Sequence, residues 1–327
     1  MKKNLIFVSI LVICFTLVGL SGCSSTKAQK VVIYTNADVE AVQAMEKSLN
    51  TAGYSDKYVL KSFGTSELGG KLMLEGDKIQ ANLITMSSFY IDSSQKKNNM
   101  YENLDFTTNA IEKYPSFYTP ILANTGSIFL NTQVMKEKGL TMPTSLKDLS
   151  KAEYKGLVSI PNIMSSSTGW LMVQAIISQY GETEGKDILH NIIVNCGANL
   201  EAGGSGPIEK VRVGEVAVGF GLRHQAVQDK VSGKPIDYVD PIEGNYSLTE
   251  SIAVVKKSDS ATTKLAQEMA KIIITKARGD LIKTYPVALY KGENISNLNK
   301  PSNSKKFSQP LTVELLQKHI DFFKSAK

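Results

Sequence analysis

Short apolar runs and helical periodicities alternate along the chain from Val31 onward. Val31-Val32-Ile33-Tyr34 is a compact, mostly β-branched run that predicts a strand. Val39, Val42, Met45 and Leu49 then fall on one helical face that stops at Gly53. The alternation repeats with a strand near residues 57–61, a helical run over 71–75 ended by Gly76, and a strand over 81–86. Strands over 117–122 and 126–130 flank Asn124-Thr125-Gly126, where the chain is expected to cross between two lobes. Beyond this point the pattern restarts. It predicts a short helix from Thr144 to Leu149, a strand over 156–160 and a long helical region from about 169 to 194, broken near Gly181. Pro207 suits the first position of a further helix. A strand over 217–220 and a return strand over 252–255 follow, and amphipathic helices over roughly 262–277 and 311–323 close the chain. Strands regularly alternating with helices predict an α/β class built on a largely parallel sheet.

The polar positions sharpen this picture at the strand-to-helix junctions. The first strand runs into Thr35-Asn36-Ala37-Asp38, the second into Gly64-Thr65-Ser66-Glu67, and the third into Ser87-Ser88-Phe89-Tyr90. Thr35 with Asp38 fits a capping box, and Glu67 suits the positive end of a helix dipole. Each hydroxyl taken singly is explained as a helix cap. In a parallel sheet, however, these ends face one side, where ligands sit and helix-start N–H groups are free.

Composition narrows the function classes. The 327 residues suffice for two domains, and the net charge of +6 includes Lys2 and Lys3. The other basic residues are scattered, without the aromatic-interleaved stripe of a nucleic-acid binder. Lys2-Lys3, an apolar run over 5–20 and Leu20-Ser21-Gly22-Cys23 predict an export signal over 1–22. The Leu-Ser-Gly-Cys ending resembles a bacterial lipobox. It implies a lipid attached at Cys23, a tether over 23–30 and an extracytoplasmic location anchored to the cell membrane. Cys14 lies in the signal, so Cys196 remains alone, no intrachain disulfide is expected, and a buried structural thiol is the reading. His190, His224 and His319 lie in different segments, with no HxH, HExxH or G-x-S-x-G spacing. Neither catalysis, a metal site nor a cofactor is expected on these grounds.

An exported chain carrying strand–Thr-Asn-Ala, Gly-Thr-Ser-Glu-Leu, Leu-Glu-Gly-Asp, Ser-Ser-Ser-Thr-Gly and Val-Gly-Glu-Val-Ala-Val-Gly-Phe in this order resembles bacterial ABC-transporter solute-binding proteins. The resemblance covers nearly all of residues 31–327 and is greatest to the branch with iron-, thiamine- and 2-aminoethylphosphonate-binding members. It implies a periplasmic-binding-protein-like type II fold of two lobes with two hinge crossings. Lobe 1 would comprise 31–124 plus 255–327, and lobe 2 would comprise 125–254. The chain would act as a monomer that delivers a small solute to a membrane permease. By the same resemblance Thr35, Asn36, Thr65, Ser66, Ser87 and Ser88 would line the cleft from lobe 1. Ser167, Thr168, Gly169, Gly204, Ser205, Arg223 and His224 would line it from lobe 2, with Tyr246 and Glu250 on the return.

Hydroxyls, helix-start N–H groups and a bidentate Arg223 suit a compact oxyanion. Glu250 and aromatic residues such as Tyr90, Trp170 and Tyr246 suit an ammonium. A small zwitterionic phosphonate, 2-aminoethylphosphonate, answers both expectations. Phosphate, a phosphorylated metabolite, a dicarboxylate or ferric iron are the alternatives. The adjacent tyrosine pair of iron-binding members is missing, since residues 220–224 read Phe-Gly-Leu-Arg-His and no Tyr-Tyr occurs.

Overall fold

The computed structural model describes residues 30–295 and 300–327; Cys23 and the expected signal lie outside them. Strand β1 (Val31–Thr35), helix α1 (Val39–Thr51), β2 (Tyr58–Ser62), α2 (Thr65–Glu75), β3 (Leu83–Ser87) and α3 (Ser88–Asn98) form the first alternating unit. β1 pairs in parallel with β2 on one side and β3 on the other. Helix α1 forms because Asp38 caps it, its carboxylate accepting from Ala41 N at 3.1 Å. Its apolar face then buries Met45 and Leu49 against Val31, Ile33, Leu83 and Val254. Each such side chain contributes about 1.5–3 kcal/mol on burial.

The next strand corrects the expectation of two short strands. β4 runs unbroken from Thr119 to Asn131. Asn124 and Thr125, expected to lie between two strands, are ladder residues opposite Leu248 and Ser247 of β9 (Asn245–Val254). The first half of β4 pairs antiparallel with β9, and the second half with β7 (Val218–Leu222) and β8 (Ile236–Val239). After α4 (Thr132–Glu137), β5 (Val158–Pro161) pairs in parallel with β7 and with β6 (Leu200–Glu201). The sheet order is β2-β1-β3-β9-β4-β7-β5-β6. The strands β4 and β9 therefore cross between two sheet halves.

Helix α5 (Ser167–Cys196) contains the expected break at Gly181, whose φ of 72° is reachable without strain only by glycine. Helices α6 (Gly206–Arg212) and α7 (Arg223–Val231) follow β6 and β7. α8 (Ser260–Ile272) and α9 (Arg278–Thr284) then cover the first half of the sheet, joined by a π-helical turn over Ile273–Ala277. The chain finally passes through β10 (Ser304–Lys305), which pairs with Asn245 and Tyr246, to α10 (Val313–Ser325). This last helix lies against α5 and α3, so it touches both halves of the molecule. The fully buried Trp170 of α5 donates its indole N–H to His319 Nδ1 of α10 at 2.6 Å. Burial pushes the His319 imidazole down to about 4, so it stays a neutral acceptor at physiological pH. Among the described residues no helix is long and apolar enough to cross a membrane.

Candidate functional site

The sheet register makes the carboxyl ends of both strand sets face each other. β3 ends at Ser87, level with Glu250, which on its other side lies opposite Leu122. β7 runs in the opposite sense and ends at Leu222, level with Gly126. Four residues of β4 separate these levels, about 13 Å at ~3.3 Å per residue. The loops after β1, β2 and β3 and those after β5, β6 and β7 meet across this gap. Ser66 joins them directly. Its hydroxyl donates to Met164 O at 2.8 Å, and its N–H points to Ser165 O at 3.4 Å.

Several sequence-predicted residues gather here. Asn36 Nδ2 donates to Thr65 Oγ1 at 3.2 Å. Ser87 Oγ donates to Glu250 Oε1 at 2.7 Å. Glu250 is buried, and desolvation pushes its carboxyl up to about 7, with the nearby Asp38 charge adding to the shift. Asn36 stands beside this carboxyl and favours its ionised form, but Glu250 Oε2 has no protein partner. From the opposite side, Ser166 Oγ accepts from Thr168 N at 3.3 Å, and Ser205 Oγ accepts from Gln225 Nε2 at 2.9 Å. Gly204 lets its loop approach the start of α5: a Cβ at this position would stand 2.3 Å from Thr168 Oγ1. Ser167 is buried beside Thr168 at the first turn of α5.

Other predicted residues hold the scaffold. Thr35 is fully buried, accepting from Thr85 Oγ1 at 2.6 Å and Ala37 N at 3.0 Å. The cap of α1 is Asp38 alone, so the expected capping box does not form. Ser88 bonds to Thr249 O and Ser251 Oγ on β9. Gly169 packs on Pro161 and Ile163, where any Cβ would meet backbone. Tyr246 is buried with its hydroxyl on Ser178 Oγ at 2.8 Å and its ring against Phe307. Trp170 is core. Arg223, the expected anion clamp, is bidentate to Asp240, with Nε–Oδ1 at 2.7 Å and Nη2–Oδ2 at 3.1 Å, and its guanidinium lies over the Tyr238 ring. The same Asp240 takes Ser302 N and Oγ and Asn245 Nδ2, so its charge and Arg223 are both engaged.

A second cluster was not expected from the sequence. Asp38, Glu40 and His224 bring one ligand atom each to within 4.8 Å of one another. Asp38 and Glu40 come from the start of α1, whereas His224 comes from the start of α7 on the other side of the gap. His224 Nε2 is 3.5 Å from Asp38 Oδ2 and makes no hydrogen bond. Desolvation pushes the His224 imidazole down to about 4, so its lone pair is available at neutral pH. The His224 ring packs on Tyr285, whose hydroxyl donates to Asp38 Oδ1. Burial pushes the Asp38 carboxyl up, partly offset by the Tyr285 and Ala41 bonds. Gln225 Nε2 approaches Glu40 Oε1 at 3.5 Å. A surface recess of about 330 Å³ between α7 and the end of α9, lined by Lys283, Thr284 and Pro286, reaches His224. The sequence signal for Asp38 was present but read only as a cap, and Glu40 reads as an ordinary first-turn acid.

This architecture, with strand ends from two lobes meeting across crossing strands, is that of type II periplasmic binding proteins. The chain belongs to the bacterial extracellular solute-binding protein family, whose model matches residues 76–309. That family and fold are characteristic of non-catalytic transport carriers. The structure is similar to that of the periplasmic binding protein P5PA, with a TM-score of 0.75 and 16% identity over 91% of this chain and all of that one. An Agrobacterium tumefaciens ABC-transporter substrate-binding protein gives a TM-score of 0.75 at 15% identity, covering 93% and 95% of the two chains. Iron-bound HitA from Pseudomonas aeruginosa gives 0.69 at 16% identity, covering 91% and 99%. At such identities the likeness shows the fold. A Haemophilus influenzae protein described as uncharacterized is 26% identical over 152 residues, which make up 43% of this chain and 44% of that relative.

Proposed function

We propose that this chain is the extracytoplasmic substrate-binding component of an ABC importer, lipid-tethered at Cys23, acting as a monomer, and that its cargo is a transition-metal cation, iron or manganese first. Its lobes are taken as 31–124 with 255 onward, and 125–254, with α10 bracing both. The observation that carries the cargo reading is the Asp38–Glu40–His224 cluster assembled from both sides of the gap. Two carboxylates and a neutral imidazole form a mixed hard and borderline donor set, suited to iron and manganese. A metal about 2.1 Å from each donor holds them roughly 3–4 Å apart, so the observed spacing needs only a small closing adjustment. Cation binding across the gap would also hold the lobes together, because the ligands belong to different lobes.

The 2-aminoethylphosphonate expectation loses one of its supports. It rested on hydroxyls and helix-start N–H groups with Arg223 as a further clamp, and on the family resemblance; Arg223 is held by Asp240, and besides Thr65 the carboxyl of Glu250 lies beside Asn36. None of the relatives named above is described as binding a phosphonate, and HitA is described as iron-bound. Equilibrium dialysis of the full chain against Fe³⁺, Mn²⁺, Zn²⁺, 2-aminoethylphosphonate and phosphate tests the reading. One metal per chain is expected, lost in Asp38→Asn and His224→Ala. Binding of a phosphonate or phosphate without metal, indifferent to those substitutions, overturns it.

A further inference from the structure

The cluster of Asp38, Glu40 and His224 supplies three donors, fewer than the six positions an iron or manganese ion ordinarily fills. What surrounds it is one-sided in chemistry. Asn36 Oδ1 and Gln225 Oε1 are buried acceptors with no hydrogen-bond partner in the protein, and Glu250 Oε2, likewise unpartnered, becomes one once its carboxyl ionises. Their residues adjoin the cluster. Asn36 lies two residues before Asp38 in the same loop, and Gln225 follows His224 with its Nε2 3.5 Å from Glu40 Oε1. Glu250 stands beside Asn36 and feels the Asp38 charge. Gln225 and Glu250 are only 3% and 2% exposed, so bulk water does not satisfy them. The nitrogens of both amides are already directed elsewhere, Asn36 Nδ2 to Thr65 and Gln225 Nε2 to Ser205, which leaves their oxygens as the free ends.

Buried acceptors cost free energy until a donor meets them. They also repel an oxyanion, whose atoms are acceptors as well, and the Arg223 guanidinium that might have offset this is held by Asp240. Metal-bound water is the complementary group, since coordination polarises its O–H bonds and makes it a strong donor. We infer that the cargo is taken up as a hydrated cation, with retained aqua ligands donating to Asn36 Oδ1, Gln225 Oε1 and Glu250 Oε2, and that no oxyanion completes its coordination. This inference rests on the cation reading above.

The test uses Mn²⁺ with the full chain in a non-coordinating buffer freed of bicarbonate and phosphate. Electron paramagnetic resonance in ¹⁷O-labelled water is expected to show line broadening from at least one bound water, and adding bicarbonate or phosphate is expected to leave affinity unchanged. Gln225→Met, which keeps the side chain's length but removes its acceptor, is expected to weaken Mn²⁺ binding about tenfold. Mn²⁺ uptake that requires bicarbonate or phosphate, or a bound ion without ¹⁷O broadening, overturns the inference and leaves the cation reading standing. Failure to take up either Mn²⁺ or Fe³⁺ in any of these buffers overturns both.

Discussion

Replacing Glu250 by Gln isolates what a buried carboxyl costs this fold. In the folded chain Glu250 keeps its proton up to about pH 7, against 4.5 as its ordinary value. Between these values the folded state holds more protons than the unfolded one, so its contribution falls as pH rises through that window. At about 1.4 kcal/mol per unit, an ionised Glu250 at pH 8 costs the metal-free protein about 3 kcal/mol relative to pH 4. Gln keeps an oxygen to accept from Ser87 Oγ and nearly the same volume, but carries no charge. The metal-free E250Q protein is therefore expected to be more stable than the parent by about 2–3 kcal/mol at pH 8, and nearly equal to it at pH 5. Urea melts of both proteins at the two pH values, with chelator present, provide the measurement. An equal difference at both pH values, or destabilisation at pH 8, refutes the reasoning. The gain should come with weaker cargo binding, because sites built for ligands carry such costs in their empty state.

Three further outcomes follow from contacts elsewhere. Asp240→Ala removes the carboxylate that neutralises the buried Arg223 and should cost about 3–5 kcal/mol in a urea melt. His319 stays neutral when folded down to about pH 4, whereas unfolded histidine titrates near 6.5. Its contribution is therefore lost as pH falls between these values, and the emission of Trp170, the single tryptophan, should change near pH 4 and not near 6.5. Gly204→Val drives a side chain into Thr168 Oγ1 and should weaken cargo binding about tenfold by forcing the β6–α6 loop back, as read by calorimetric titration.

The alternation of apolar runs was enough to place β1, β2, β3, β5 and β7, the break at Gly181 and the helix that Pro207 opens, because these depend on local periodicity and backbone preference. The crossing strands were legible only in part. Asn124 and Thr125 have turn composition, yet the partner that makes them a strand, β9, lies more than 120 residues away, with Thr125 Oγ1 2.7 Å from Ser247 Oγ. β8 was missed for the same reason, being a four-residue edge strand whose pairing is with β4. In the candidate site, Asn36 and Thr65 stand out from junction chemistry, whereas Ser205, His224 and Glu250 were expected only from the family resemblance. Asp38 and Glu40 were expected from neither, because acids in a first helical turn have an ordinary local use. Arg223 was misread because its neutralising Asp240 sits 17 residues later in a loop, and nothing in local pattern announces that pair.

The helix α10 has a consequence for the order in which the molecule can be completed. Trp170 and His319 are separated by 149 residues, and β3 waits for a partner strand that begins at Asn245. Neither half can close its core while the chain is still emerging, since α10 follows every element it braces. Contacts of such range make folding slow and late. A long interval in which the polypeptide remains threadable is what passage through a narrow translocation pore demands, and the tryptophan signal of Trp170 would mark when that interval ends.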